Sequence, residues 1–308
     1  MSKLLILGSI AFDQIETPFG KSNSIMGGSA NYIALAAAQF EIPAAVVSIV
    51  GGDYPQEYLN LLTERRIDVS GIEIVQGGKT LFWSGKYHND MNQRDTLDTQ
   101  LNVINDFKPV VPKAFRDAEV LLLGNLHPSL QMDVLNQMTQ RPKLVVMDTM
   151  NYWMNHTWDL LMEVIARVDV LTINDEEARQ LTKEYSLVKA AQRIIAMGVK
   201  YVVIKKGEHG ALLFHEDKVF FAPALPLAEV FDPTGAGDVF AGGMVGYLAK
   251  TRDYSFANLK NAIVQGANVA SFCIEKFGAE RLLTLTHNER TARLQQFRDL
   301  TQFDIQLR

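Results

Sequence analysis

The most informative segment of the chain runs from Val230 to Gly243 and reads Val-Phe-Asp-Pro-Thr-Gly-Ala-Gly-Asp-Val-Phe-Ala-Gly-Gly. Small residues at positions 235–237 let a ligand approach the backbone and lead into an apolar, helix-compatible run. The first turn of a helix offers free N–H groups and the positive end of a dipole, so the segment predicts an anion site, most simply for phosphate. Asp238 lies in the same turn and would repel a phosphate unless it had another task. Taking a proton from an approaching nucleophile is such a task, and we interpret the segment as the centre of a phosphoryl-transfer enzyme.

Composition limits the class of protein. The chain has 308 residues, 47% of them hydrophobic, which suits one large α/β domain. Its net charge is −5 and no long basic run occurs, so nucleic acid and anionic membranes are poor candidates for partners. The single cysteine, Cys273, excludes a disulfide framework. No apolar run approaches the roughly 18 residues of a membrane span, and we expect a cytoplasmic protein.

Short apolar runs alternate with helical patterns along most of the chain. Strands are expected at residues 3–8, 44–50, 120–124, 144–148, 170–173 and 201–205. This rhythm argues for a parallel sheet covered by helices. A hairpin is expected at residues 211–222 and a last helix from Glu289 to about Phe303. The rhythm breaks from about residue 72 to 107, where β-formers and turn residues predict a small separate sheet, together with residues 14–26.

The central segment resembles the signature of the ribokinase-like (PfkB-type) carbohydrate and nucleoside kinases. That signature is close to Asp-x-x-Gly-Ala-Gly-Asp-x-Phe-x-x-Gly, and it stands here in full at residues 232–243. A second signature of the family, a Gly-Gly pair followed by Asn, is similar to residues 27–31. The resemblance covers essentially the whole chain. It implies one kinase domain over residues 1–308, a three-layer α/β sandwich with a mostly parallel central sheet and a β-sheet lid built from about 14–26 and 72–107.

The resemblance assigns the catalytic roles to the central segment. Asp238 would be the general base for the acceptor hydroxyl, a role that contributes on the order of 10²–10⁴-fold. The backbone N–H groups of Gly235, Ala236 and Gly237 would form the anion hole for the γ-phosphoryl oxygens. The alternative for Asp238 is a stabilising charge at a helix N-terminus.

The resemblance also places a metal and a nucleotide. Asn174 and Glu177 match an Asn-x-x-Glu motif expected near Mg²⁺ and the triphosphate. The same two residues could instead form a helix capping box, and both interpretations stay open. Lys205, Gly207 and Gly210 surround a turn that the family places beside the nucleotide, although an ordinary hairpin turn would look the same. Asn268 belongs to a segment expected on the adenine side.

Five residues are expected to hold the acceptor. Asp13 follows the first strand, where the family has an aspartate that accepts from substrate hydroxyls, and a carboxylate can accept from both hydroxyls of a diol. Asn31 is its expected partner. Gly27 and Gly28 would let the substrate lie against the backbone, and Asp232 opens the signature.

The identity of the acceptor stays open between a free sugar and a nucleoside. Residues 148–154 lie at the carboxyl end of a central strand, where ligands bind in open α/β sheets. Tyr152 and Trp153 in this segment could stack on a sugar or on a nucleobase. Arg94 in the expected lid could contact a phosphorylated sugar, but an isolated surface arginine is the simpler interpretation.

The sequence therefore predicts a kinase that uses ATP and Mg²⁺, with a possible monovalent cation, to phosphorylate a small sugar or nucleoside. The alternative is a catalytically silent ligand-binding or regulatory protein of the same fold. A homodimer through the lid is a further expectation, because Phe82 and Trp83 would be apolar and exposed there.

Overall fold

The computed structural model describes residues 2–302 and contains two β-sheets within that range. In chain order the strands are β1 (Leu4–Leu7), β2 (Ala11–Thr17), β3 (Gly20–Lys21), β4 (Ile25–Gly27), β5 (Ala44–Gly51), β6 (Ile67–Val75), β7 (Leu81–Tyr87), β8 (Arg94–Gln100), β9 (Val120–Leu123), β10 (Leu144–Asp148), β11 (Val170–Asn174), β12 (Tyr201–Lys205), β13 (Ala211–His215) and β14 (Lys218–Ala222). The large sheet has the order β14-β13-β12-β11-β10-β9-β1-β5-β6. Its strands from β12 to β6 are parallel, and β13 and β14 form the expected antiparallel hairpin. The prediction of a mostly parallel sheet is confirmed.

Helices cover both faces of the large sheet. They are α1 (Ser29–Ala38), α2 (Gln56–Glu64), α3 (Pro128–Gln137), α4 (Asn151–His156), α5 (Trp158–Ile165), α6 (Asp175–Thr182), α7 (Leu187–Ala196), α8 (Ala236–Thr251), α9 (Phe256–Cys273), α10 (Glu280–Thr284) and α11 (His287–Thr301). Strand β1 shows how one strand serves two cores, because side chains alternate between faces. Leu4 and Ile6 pack with α1, α2, α8, α9 and α10, whereas Leu5 and Leu7 pack with α3 to α7. The result is the expected three-layer sandwich.

The small sheet combines two separate parts of the chain. Strand β2 pairs with β3 and β4 in antiparallel fashion and with β7 in parallel fashion, and β8 forms the outer edge beside β7. The sheet therefore contains residues 11–27 and 81–100. The first segment begins at Ala11, whereas the sequence predicted a start at about residue 14.

The second segment of the small sheet is shorter than expected at both ends. Ile67–Val75 forms β6, which pairs in parallel with β5 at the edge of the large sheet. Its mixed polar pattern reflects an edge strand with one exposed face. After β8 the chain returns to the large sheet, because Val103 and Phe107 are buried in its core.

Within the described residues, the helices are too short or too polar to cross a membrane. Helix α11 begins with a capping box between Thr286 and Glu289 and ends at Thr301. The end predicted near Phe303 lies outside the described residues.

Candidate active site

The carboxyl ends of three neighbouring strands, β10, β11 and β12, converge on the N-terminus of α8. Asp148, Asn174 and Lys205 are the last residues of these strands. Ligands of open α/β sheets bind at this edge. The small sheet covers the same edge, since Tyr87 of β7 meets Thr234 just before α8.

The N-terminus of α8 offers free backbone donors. Gly235 is its N-cap, with φ +74° in the left-handed region, and a Cβ there would lie 2.6 Å from three ring carbons of Tyr32. The amides of Gly235, Gly237 and Asp238 have no acceptor among residues 2–302. Ala236 differs from the prediction because its N–H donates to the Pro233 carbonyl at 3.1 Å. The free donors are therefore 235, 237 and 238 rather than 235–237.

Asp238 carries its carboxyl group into the same space, in the first turn of α8. Burial, followed by the nearby charge of Asp148, raises its pKa from 3.8 to about 7. Lys205 and Arg94 act in the opposite direction. A carboxyl group whose pKa lies near 7 can both accept and release a proton near neutral pH.

Lys205 is the buried cation of the site. Its ammonium Nζ lies 2.7 Å from Asp148 Oδ2, and the two side chains are 17% and 9% exposed. A Cβ built on Gly237 would lie 3.2 Å from the same Nζ, which places the ammonium beside the free donors of α8. Asp148 begins the segment 148–154 that was expected at the ligand-binding edge, but its pairing with Lys205 was not predicted. The pair could have been found only by recognising that β10 and β12 flank β11.

Asn174 and Glu177 form the capping box of α6. Asn174 Oδ1 accepts from the Glu177 amide at 2.7 Å, and Glu177 Oε2 accepts from the Asn174 amide at 2.8 Å. Burial and then the charge of Asp148 raise the pKa of Glu177 to about 7. The capping alternative is thus correct, and it leaves Glu177 Oε1 without a protein donor among the described residues.

Asn174 and Glu177 could bind Mg²⁺ only if water and substrate phosphates supplied most of the ligands of the ion. The described residues contain no group of three side chains able to hold a metal ion. Mg²⁺ commonly binds one or two carboxylates and completes its octahedron with water and substrate phosphates. The free oxygen of Glu177, in a region where carboxylates outnumber cations, suits such a partial site.

The turn after β12 is shaped by its glycines. Gly210 has φ +80°, and a Cβ there would collide with the Ala222 carbonyl oxygen, so this glycine is required by the hairpin itself. Gly207 has φ +54° and lies under Asn92, which reaches from the β7–β8 hairpin of the small sheet. Asn92 Nδ2 donates to Glu208 Oε1 at 3.2 Å and joins the small sheet to this turn.

The residues predicted to hold the acceptor are grouped around Asp13. Its carboxyl group packs directly on Gly27, where any Cβ would overlap it. Burial, followed by the charge of Asp232, raises its pKa to about 7, while the Gly28 amide opposes this rise. Asn31 Nδ2 donates to the Gly27 carbonyl at 2.6 Å and also to the Tyr54 hydroxyl, so Asn31 fixes the glycine turn.

Two predicted contact residues lie below the site surface. Asp232 is fully buried, and its two oxygens accept from the Thr234 and Gly278 amides at 2.8 Å each. It therefore shapes the loop before α8 rather than meeting a substrate. Asn268 is also fully buried and donates to the Arg290 carbonyl at 2.9 Å, which ties α9 to α11 rather than facing a nucleotide.

Four side chains share the inner face of the small sheet. Asp13 is the register partner of Trp83, and Tyr87 is the register partner of Arg94, so each pair points to the same face. Trp83 and Tyr87 share that face because they are four residues apart on β7. The Arg94 guanidinium lies 5.6 Å from the Trp83 ring centroid.

This geometry corrects two expectations about the small sheet. Arg94 faces the cleft and lowers the pKa of both Asp238 and Glu177, so it is not an isolated surface charge. Trp83 also lies on the inner face and is half-buried, so the expectation that it is exposed is wrong.

Comparison with known proteins identifies the family. The model of the pfkB family carbohydrate kinases matches residues 1–285. A cytidine kinase of Thermococcus kodakarensis is 30% identical over 289 residues, which cover 90% of this chain and 98% of the relative. These matches span nearly the whole length of both proteins.

Solved structures agree on the fold. A Burkholderia thailandensis nucleoside kinase in complex with inosine superimposes with a TM-score of 0.75 at 21% identity, covering 95% of this chain and 98% of that one. An aminoimidazole riboside kinase from Salmonella enterica, complexed with aminoimidazole riboside and an ATP analogue, superimposes with a TM-score of 0.74 at 20% identity. This match covers 95% of this chain and 99% of that one. The predicted ribokinase-like fold and the prediction of a kinase are confirmed, and the chain belongs to the PfkB family of carbohydrate kinases.

Proposed function

We propose that this kinase transfers the γ-phosphoryl group of ATP to a hydroxyl of a nucleoside. The observation that carries the reaction is the first turn of α8, where one carboxyl group and three free amides face the same cleft. Asp238 takes the proton of the acceptor hydroxyl as its oxygen attacks the γ-phosphorus. The amides of Gly235, Gly237 and Asp238 stabilise the charge on the transferred group, and ADP leaves.

The charged side chains around Asp238 support this reaction. Lys205 lies beside the same amides and would neutralise phosphate charge, and Asp148 holds its ammonium in place. Glu177 would hold Mg²⁺ through its free oxygen, directly or through water, and Asn174 orients that carboxylate. The bound cation would screen the phosphates of ATP. Binding of a monovalent cation and dimerisation through the small sheet remain predictions from the sequence.

The inner face of the small sheet favours a nucleoside over a free sugar. Asp13 supplies a carboxylate for a sugar diol, and Trp83 supplies an aromatic plane on the same face. A nucleoside presents both a diol and a planar base. Stacking of a base on an aromatic side chain contributes about 1–3 kcal/mol. The 30% identical relative is named as a cytidine kinase, and the similar nucleoside kinase structure contains inosine, which supports the same choice.

A substrate panel tests this proposal. Release of ADP would be measured with ATP, Mg²⁺ and each of cytidine, inosine, adenosine, ribose and fructose. Because ribose lacks the base, its kcat/KM should be at least about fivefold below that of the best nucleoside, since one stacking contact contributes at least about 1 kcal/mol. Ribose or fructose turnover equal to or above that of every nucleoside would overturn the assignment of the acceptor class.

A further inference from the structure

The loop before α8 is held from two sides. On the side of the large sheet, the ring of Tyr32 in α1 lies flat against Gly235. A Cβ built on Gly235 would lie 2.6 Å from three carbons of that ring. From the small sheet, the Phe19 ring contacts the Phe231 ring with centroids 5.3 Å apart. The free amides of α8 therefore follow a loop whose position depends on both parts of the structure.

One hydrogen bond joins the small sheet to this loop directly. Thr234 Oγ1 donates to the Tyr87 hydroxyl at 3.2 Å, although the residues are 147 positions apart. Both side chains are buried. The Thr234 amide in turn donates to Asp232 Oδ1 at 2.8 Å, and Asp232 Oδ2 binds the Gly278 amide. Thr234 is thus fixed between the body and the small sheet, immediately before the first free amide at Gly235.

We infer that Tyr87 is a positioning residue that couples docking of the small sheet to the geometry of the anion hole. The inference rests on the proposed function. Asp13 and Trp83 lie on the same sheet as Tyr87, so an acceptor bound to them would also fix the sheet over the cleft. The Tyr87–Thr234 hydrogen bond then carries that position to Gly235 and the amides that follow. The donors would be aligned best when the acceptor is present.

This coupling has a thermodynamic signature. If the acceptor and the nucleotide favour the same docked state, each must increase the affinity for the other by the same factor. Loss of the Tyr87 hydroxyl should reduce this mutual enhancement. It should also lower kcat, because alignment of the donors matters most in the transition state.

The test is a double-mutant cycle with Tyr87→Phe and Thr234→Val. Each variant should lower kcat by about tenfold, the scale of one buried hydrogen bond, and the double variant should lose little more than either alone. Acceptor KM should change less than kcat. The enhancement of binding between the acceptor and a non-hydrolysable ATP analogue, measured by calorimetry, should fall toward onefold in Tyr87→Phe.

Two further variants keep the test decisive. Thr234→Ser retains the hydroxyl and should keep kcat and the enhancement near the wild-type values. Tyr201→Phe removes another buried hydroxyl, which donates to the Tyr254 carbonyl at 3.0 Å near the opposite end of β12, and should leave both readouts unchanged. The inference would be overturned if Tyr87→Phe kept the wild-type kcat and the wild-type mutual enhancement of binding. It would also be overturned if the losses in kcat of the two single variants added up in the double variant. Failure of wild-type nucleoside turnover would instead overturn the proposed function, and the cycle would then be measured with the acceptor that the panel identifies.

Discussion

Substitution of Gly235 by alanine probes the contact between α1 and the anion hole. The residue has φ +74°, a conformation that costs an L-residue about 1–2 kcal/mol. A Cβ would also lie 2.6 Å from three carbons of the Tyr32 ring, well inside ordinary contact distance. Overpacking of this kind adds about 1–3 kcal/mol. Gly235→Ala should therefore reduce the free energy of unfolding by about 2–5 kcal/mol.

Gly77 provides a matched control. It has φ +78°, and a Cβ there would meet no described atom within 4 Å. Gly77→Ala thus carries the backbone cost alone, and urea unfolding should show Gly235→Ala to be less stable by about 1–3 kcal/mol. In a Tyr32→Val background, Gly235→Ala should reduce the free energy of unfolding by less than it does in the wild type, because the ring that its Cβ would meet is absent. Kinase activity should fall only in the Gly235 variant. Equal destabilisation by the two alanine substitutions would refute the steric argument.

Two other predictions concern buried charges. Folding raises the pKa of Asp13 from 3.8 to about 7. Between these two pH values the native state holds a proton that the unfolded state has lost. The free energy of unfolding of the ligand-free protein should therefore fall as the pH rises from about 4 to about 7. Asp13→Asn should reduce this fall in urea unfolding measured across that range, and an unchanged pH dependence would contradict the prediction. Asp148→Asn leaves the buried Lys205 ammonium without its closest partner and should cost about 3–5 kcal/mol. Asp117→Asn, which breaks the exposed ion pair with Lys3, should cost far less, and equal losses in urea unfolding would show that burial does not strengthen the Lys205 pair.

Most of the large sheet could be predicted from sequence because its strands are short apolar runs between helical patterns. Strands β10 and β12 were predicted with the bounds that the structure has. Strand β6 was missed because one face of this edge strand is exposed, which makes its pattern resemble that of the small sheet. Local periodicity reports burial, and it does not report which sheet a strand joins.

The candidate site was predicted in part. The signature located Asp238 and the glycines, since their chemistry is encoded in adjacent residues. The Lys205–Asp148 pair was missed because it spans 57 positions and depends on strand order. Asp232 and Asn268 were assigned to ligands although both are buried, because a sequence does not reveal which way a polar side chain points.

The central claim is that Asp238 is the general base, and Asp238→Asn tests it most directly. Asparagine keeps the size of the side chain but cannot accept the proton at neutral pH. Because the buried carboxyl group already has a raised pKa, its removal should not weaken the fold in urea unfolding. Single-turnover rates, together with binding of the acceptor and of an ATP analogue, should be measured on the same preparation. The account predicts a loss of at least about 10²-fold in the rate of phosphoryl transfer with both affinities retained. A rate within a few-fold of the wild type would contradict it.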